Sequence, residues 1–401
     1  MKFSVRASVL LGCVLLGSFG FAANNSASGF DSTFPARPTV KRPMIIPKPP
    51  KLNVKAYVLM DANTGKIIAS KNPNERMPMA SLTKLMSMYI ISNALSTGQI
   101  HLDDTVHISK TAWKMGGSRM FVKAGSDVPV QELIQGIVVA SGNDATTAMA
   151  EFVGDGSQEN FVAMMNQAAQ ALKLQNSHFM NPTGLPDDEH YSTAFDLATL
   201  TRALILHFPE HYHWYNHKWF KYNNIKQPNR NRLLWRDESV DGLKTGHTNS
   251  AGFCLISSAK REDMRLISVV LGARSDNARA SKSQSLLNYG FRYFRSPMLY
   301  TKGQPVTHAR IYYGDKKKIA FGVAHDFHVT LPVHENEKYK VTVKLRENLA
   351  APITKGNVYG ELFVGIGGKP LGSVPLVALE DDPVGGIFTR TKDSIVKFLG
   401  M

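Results

Sequence analysis

Hydrophobic positions divide the chain into stretches of different period. Residues 9–21 are mostly apolar, follow a basic start at Lys2 and Arg6, and end at the small-x-small string Gly20-Phe21-Ala22. A run of that length with those flanks predicts a cleaved secretory leader over residues 1–22 rather than a membrane span. Residues 23–50 lose the periodicity and gain Ser, Asn and Pro, including Pro35, Pro38, Pro43, Pro47, Pro49 and Pro50, which predicts an extended linker. Residues 56–60 and 66–70 read as strands joined by the turn Asp61-Ala62-Asn63-Thr64-Gly65. Leu85, Met88, Ile91 and Leu95 then recur at helical spacing, and the same period predicts helices at 130–139, 145–152, 160–172 and 196–207. Beyond Asp241 the pattern turns to short strands at 244–248, 252–259 and 265–272, closed by a helix at 278–294.

Residues 51–296 therefore form an α/β (α+β) domain with a mixed sheet and a helical lobe. Residues 297–383 carry short alternating segments punctuated by Gly and Pro, which predicts a small all-β domain of sandwich type. In the tail, 384–401, Ile387, Phe388, Ile395, Phe398 and Leu399 gather broadly on one side of a helix and Arg390, Lys392 and Lys397 elsewhere. Such a basic amphipathic helix suits a membrane interface, and equally a dock on the β domain.

Charge and cysteine content narrow the partners. The 401 residues hold 47 Lys and Arg against 32 Asp and Glu, a formal net charge of +15. That surplus favours anionic surroundings. The cations are dispersed, Lys316-Lys317-Lys318 being the one short run, and no nucleic-acid-binding motif is present, so nucleic acid is not expected as a partner. Cys13 would leave with the leader, and Cys254 in Phe253-Cys254-Leu255-Ile256 reads as a buried packing thiol.

The chemistry lies in three short strings. Ser81-Leu82-Thr83-Lys84 opens a predicted helix, and residues three apart on a helix share a face, so Ser81 and Lys84 can meet. A serine hydroxyl becomes a nucleophile when a base takes its proton, and lysine serves as that base when its pKa falls. Ser141-Gly142-Asn143 follows an apolar run, and Lys244-Thr245-Gly246 opens a strand. In order and approximate spacing the three strings resemble those of penicillin-binding proteins and serine β-lactamases. The resemblance implies that Ser141 relays a proton to the leaving amine and that Asn143 holds the substrate amide. It implies that Lys244 is the second cation depressing Lys84, that Thr245 donates to the substrate carboxylate, and that Gly246 allows close backbone approach. The backbone N–H groups of Ser81 and His247 would face the oxyanion.

From about Ala56 to the C-terminus the chain resembles, more narrowly, the low-molecular-mass penicillin-binding proteins that are D-alanyl-D-alanine carboxypeptidases. Further strings carry this likeness: Asn181-Pro182-Thr183-Gly184-Leu185, Asp241-Gly242-Leu243 before Lys244, and Leu271-Gly272-Ala273-Arg274. The family match places Arg274 at the terminal carboxylate, and an Arg fork suits that group. The resemblance implies a β-lactamase/transpeptidase-like fold with Ser81 as nucleophile. Its substrate would be a peptidoglycan stem peptide ending in D-Ala-D-Ala, and β-lactams would be covalent inhibitors. No metal or organic cofactor is expected. The protein would be periplasmic, held at the outer face of the cytoplasmic membrane through the C-terminal helix. A DD-endopeptidase shares the three strings and remains the alternative. A β-lactamase is less favoured, because residues 170–190 lack the Glu-x-x-Leu-Asn string that would activate a deacylating water. His207, His211, His213 and His217 crowd one stretch without the companions of a zinc site. Trp214, Trp219 and Trp235 read as core or interface residues ahead of a sugar platform, and Gly116-Gly117-Ser118-Arg119 as a loop beside the site.

Overall fold

The computed structural model describes residues 46–333 and 339–398; the leader, the linker as far as residue 45, positions 334–338 and the last three residues lie outside the described residues. Strands β1 (Ala56–Asp61), β2 (Ile67–Lys71), β3 (Val240–Thr248), β4 (Gly252–Arg261) and β5 (Met264–Ala273) form one sheet in the order β2-β1-β5-β4-β3. Every neighbouring pair is antiparallel. β1 is buried at every position because layers cover both faces of the sheet. Ala56, Val58 and Met60 face a core shared with the helical lobe, while Tyr57 and Leu59 join a second core under the closing helix.

That lobe contains α1 (Lys84–Ser96), α2 (Val130–Val138), α3 (Asn143–Val153), α4 (Gln158–Ala171) and α5 (Ala194–His207), and the closing helix is α6 (Asp276–Tyr293). Leu85, Leu133, Ala148, Phe161 and Leu197 bring the five lobe helices into one core. Helices α4, α5 and α6 each begin two residues before the apolar period predicts. The cause is capping: Ser157, Thr193 and Ser275 accept hydrogen bonds from the N–H groups of Asn160, Asp196 and Ala278. β3 likewise begins at Val240, whose partner is Ala259, rather than at Lys244. A hairpin the periodicity missed pairs Trp219–Tyr222 with Ile225–Pro228, turning on Asn223 and Asn224 at φ 46° and 62°. Two consecutive left-handed residues are the requirement of a tight hairpin turn, and Asn tolerates it.

The C-terminal domain is all-β, as expected. Strands β6 (Pro305–Arg310), β7 (Lys318–Val323), β8 (Lys340–Leu345), β9 (Val358–Ile366) and β10 (Lys369–Ala378) pair in the order β6-β7-β10-β9-β8. The short ladder of Met298–Tyr300 with Phe327–His328 packs Tyr300 and Phe327 against Leu362, Val364 and Leu376 of the larger sheet. Helix α7 (Ile387–Phe398) meets this domain through its acid. Asp393 is buried, accepting from Arg310 Nη2 at 3.1 Å and from the Tyr313 N–H at 2.7 Å. Ile387, Phe388 and Ile395 point away, 77%, 93% and 55% exposed.

The two domains are joined by a polar knot at the β1–β2 turn. Asp61 is fully buried, and its Oδ2 accepts from Thr330 Oγ1 at 2.6 Å. The single Thr330 proton being used, Thr64 Oγ1 donates to Thr330 Oγ1 at 2.6 Å. Thr330→Val keeps the shape but strips a donor from a buried carboxylate, at a cost of about 1–3 kcal/mol. Denaturant unfolding is expected to show that loss; an unchanged midpoint would mean the knot contributes nothing.

Candidate active site

Ser81 sits in a tight turn, Ala80–Thr83, leading directly into α1, so Lys84 projects back over it from the helix's first position. Ala80 and Ser141 both adopt left-handed backbone, φ 48° and 59°. Such strain at two of the motif segments is a mark of functional sites. Opposite the turn runs β3. A Cβ on Gly246 would come within 3.0 Å of the Met79 carbonyl and 3.3 Å of Ala80 Cβ. Glycine at 246 thus lets the strand lie against the turn that carries Ser81.

Lys84 has no exposed surface. Its Nζ lies 3.2 Å from Ser81 Oγ, 2.7 Å from Asn143 Oδ1 and 2.6 Å from the Thr183 carbonyl. Burial, and then the Arg230 guanidinium, lower its pKa to about 7, with Asp144 opposing. The amide oxygen and the carbonyl only accept, so a neutral Lys84 spends both its N–H bonds on them and turns its lone pair to Ser81. The Thr183 carbonyl is aimed by Asn181, whose Oδ1 takes the N–H groups of Thr183, Gly184 and Leu185. Gly184 is required there, since a Cβ would lie 1.9 Å from the Ala80 carbonyl. His190 braces the turn from behind. Its Nδ1 accepts from the Met180 N–H at 3.0 Å, so Nε2 carries the proton and donates to Thr83 Oγ1 at 2.7 Å. Thr83 in turn donates to the Ala80 carbonyl at 2.8 Å. Burial pushes the His190 pKa down to about 4, which keeps the ring neutral.

Four of the predicted site residues stand in settings that the strings alone did not reveal. Asn143 is engaged within the protein, with Oδ1 on Lys84 and Nδ2 on the Gly116 carbonyl at 2.7 Å. Ser141 Oγ accepts from Lys244 Nζ at 2.7 Å, so the relay serine faces the second lysine. The cation that depresses Lys84 after burial is Arg230; Lys244 is itself held well below its ordinary pKa by burial, then by Lys84, Arg230 and Arg279. Arg274 is the clearest departure. Ala273 ends β5 and Ser275 caps α6, leaving Arg274 exposed in the turn between them. Arg279, on the buried face of α6, lines the cavity instead. Its Nη1 donates to the Gly246 carbonyl at 3.0 Å and its Nη2 pairs with Asp276 at 2.5 Å.

The cavity measures about 720 Å³ and is lined by Ser81, Ser141, Thr245, Gly246 and His247 on one side and Arg230 and Arg279 on the other. The Gly116–Arg119 loop does border it: Ser118 lines the wall and accepts from Arg230 Nη1 at 2.6 Å. Asp144, next to the second string and given no role from the sequence, is buried and gathers the N–H groups of Met120, Phe121 and Val122, fixing the segment beyond that loop. Among the described residues no group of His, Cys, Asp and Glu could hold a metal. Cys254 is free and buried, its thiol pushed up to about 11 by burial, in keeping with a packing role.

Acylation by a β-lactam is expected to rise through about pH 7 as Lys84 loses its proton. Arg230→Gln removes a nearby positive charge, makes the ammonium less unfavourable, and should move that limb to higher pH. A limb that stays in place would leave burial as the whole cause.

Comparison with known proteins agrees with this geometry. A sequence model of the family described as D-alanyl-D-alanine carboxypeptidase matches residues 44–275, and one described as penicillin-binding protein 5, C-terminal domain, matches residues 294–384. The chain is 40% identical over 355 residues to the D-alanyl-D-alanine carboxypeptidase DacC of Escherichia coli (strain K12), covering 86% of this chain and 88% of that one. It is 40% identical over 354 residues to DacA of Haemophilus influenzae, covering 87% and 90%. The solved penicillin binding protein 5 of Haemophilus influenzae superposes with a TM-score of 0.77 at 40% identity, over 84% of this chain and 99% of that one. The matches span both domains, and the chain belongs to the D-alanyl-D-alanine carboxypeptidase family.

Proposed function

We propose how the residues of this serine-type, penicillin-binding D-Ala-D-Ala carboxypeptidase divide the work on a peptidoglycan stem peptide. Neutral Lys84 takes the Ser81 proton as Oγ attacks the penultimate D-alanine carbonyl. The oxyanion lies between the backbone N–H groups of Ser81 and His247. Ser141 hands its proton to the departing amine and is resupplied from Lys244. D-Alanine leaves, and Lys84 passes the proton it took from Ser81 to the now neutral Lys244. Lys84, neutral again, takes a proton from the water that attacks the ester and returns it to Ser81 Oγ as the acyl bond breaks. Asn143 positions Lys84. Thr245 and Arg279 take the terminal carboxylate, the role that sequence likeness gave to Arg274. The observation that carries this reading is the pair of pure acceptors on Lys84, which leaves its lone pair only Ser81 to meet.

The test is D-alanine release from diacetyl-Lys-D-Ala-D-Ala. Ser81→Ala should abolish it. Arg279→Ala should lower kcat/KM roughly 10–100-fold, the cost of one lost charge-assisted hydrogen bond, while Arg274→Ala stays within about twofold of the parent, as for an exposed residue without a site role. Release surviving in Ser81→Ala would overturn the nucleophile; equal losses at the two arginines would overturn the reassignment.

We further infer that the protein is exported by the 1–22 leader and tethered by residues 384–401, with 23–50 as linker, 51–296 as catalytic domain and 297–383 as β domain. No helix among the described residues is long and apolar enough to cross a membrane. Support for an interfacial tether is the orientation of α7: its acid is turned to the β domain, and Ile387, Phe388 and Ile395 are turned outward. Mature chain is expected to sediment with vesicles containing anionic lipid, and chain ending at Pro383 to stay in solution. Full sedimentation of the shorter chain would refute the tether.

A further inference from the structure

Of the three tryptophans between residues 214 and 235, two do not sit in the core. Trp214 is 4% exposed, whereas Trp219 is 50% and Trp235 43% exposed. These two meet edge to face, with ring centroids 6.0 Å apart and planes at 82°. Both are held rigidly. Trp219 belongs to the 219–228 hairpin, where it pairs with Pro228, and Lys226 Nζ stands 4.7 Å from its ring centroid. Trp235 lies on the short helix Leu233–Arg236, anchored by the buried Leu233 and Leu234. Pro228 and Trp235 also line the wall of the catalytic cavity. The indole pair is thus continuous with the active site, on the cavity wall that carries Arg230, Arg232 and Arg236.

A D-alanine leaving group has no use for this surface. It is far smaller than a cavity of about 720 Å³ and makes no demand on the Trp219 indole, which lies outside the cavity lining. A polymer does. An amino-sugar ring presents a C–H-rich face that fits an indole, and the stem peptides borne by the same strand present carboxylates that fit the neighbouring Lys and Arg side chains. Fixed aromatic side chains bind with little loss of rotamer freedom, which suits a weak, repeating contact.

We propose that the Trp219–Trp235 ledge docks the glycan strand of polymeric peptidoglycan, so that this enzyme works faster on wall material than on free stem peptide. The proposal rests on the carboxypeptidase reading of the adjoining cavity. Its test compares Trp219→Ala and Trp219→Phe with the parent on two substrates, insoluble peptidoglycan and diacetyl-Lys-D-Ala-D-Ala. Trp219→Ala should keep the parent rate on the short peptide and the parent rate of penicillin acylation, which also certifies the fold. It should lose about tenfold on the polymer, the scale of one aromatic contact, and Trp219→Phe should recover part of that. The tetramer of N-acetylglucosamine should compete for the polymer and quench tryptophan fluorescence in the parent alone. Equal rates on the polymer would overturn the ledge. A polymer-specific loss without competition by the tetramer would overturn the glycan assignment in favour of stem peptide, and a change in oligomeric mass alone would reassign the pair to a self-contact. Co-sedimentation of Ser81→Ala with insoluble peptidoglycan, with and without Trp219→Ala, reads the ledge even if the parent releases no D-alanine, which separates its failure from that of the carboxypeptidase reading.

Discussion

Desolvation of the Lys84 ammonium is the constraint on which the site depends. Removing a cation from water costs several kcal/mol even after relaxation, so a fully buried lysine must be given acceptors, lose its proton, or both. Here it is given Asn143 Oδ1 and the Thr183 carbonyl, and its pKa falls to about 7. Those two acceptors arrive from distant parts of the chain. Asn143 opens α3, and Thr183 is aimed by the Asn181 side chain. The turn that presents Ser81 is in turn backed by Thr83, His190 and the close approach of Gly184 and Gly246. Helix starts, loop and strand edge are thus all answers to one electrostatic demand.

The parts of the site that could be read from sequence are those whose spacing is local or whose chemistry is unusual. Ser81 and Lys84 meet because a helix puts them on one face. Ser141 and Lys244 were legible as strings but not as partners, since nothing in a linear chain says that they touch. Arg274 and Arg279 show the limit more sharply. Both follow β5, and only the exact end of that strand and the Ser275 cap decide that the later arginine turns inward. Asn181, Asp144 and His190 were missed as contributors for a related reason. Asn181 opens a string that carried the family likeness, but its job of aiming the Thr183 carbonyl was not legible there; Asp144 and His190 act on groups brought near by folding.

The elements tell the same story. Apolar period located the lobe helices, but capping serines and threonines set where α4, α5 and α6 begin. The 219–228 hairpin escaped because its strands are short and polar, although Asn223-Asn224 was the available turn signal. For the tail, the amphipathic pattern was visible while its orientation was not. The buried Asp393, paired with Arg310, is what turns the apolar side of α7 outward.

One set of cations does two things in this cavity. After burial, Arg230 lowers the Lys84 pKa and Lys84, Arg230 and Arg279 lower that of Lys244, and the same positive field attracts a substrate that ends in a free carboxylate. Those roles are coupled in sign. A carboxylate arriving at Thr245 and Arg279 would offset part of the field, and the Lys84 pKa would climb. A base with a higher pKa takes a proton from serine more readily, provided it is still neutral when the substrate lands. Holding the Lys84 pKa at about 7 in the empty cavity suits that condition, and the proposed binding mode would strengthen the base. A peptide whose terminal carboxylate is blocked would forgo both the attraction and the strengthening. On the proposed mechanism, preference for a free C-terminus would rest on the basicity of Lys84 as well as on the contacts of the binding groups.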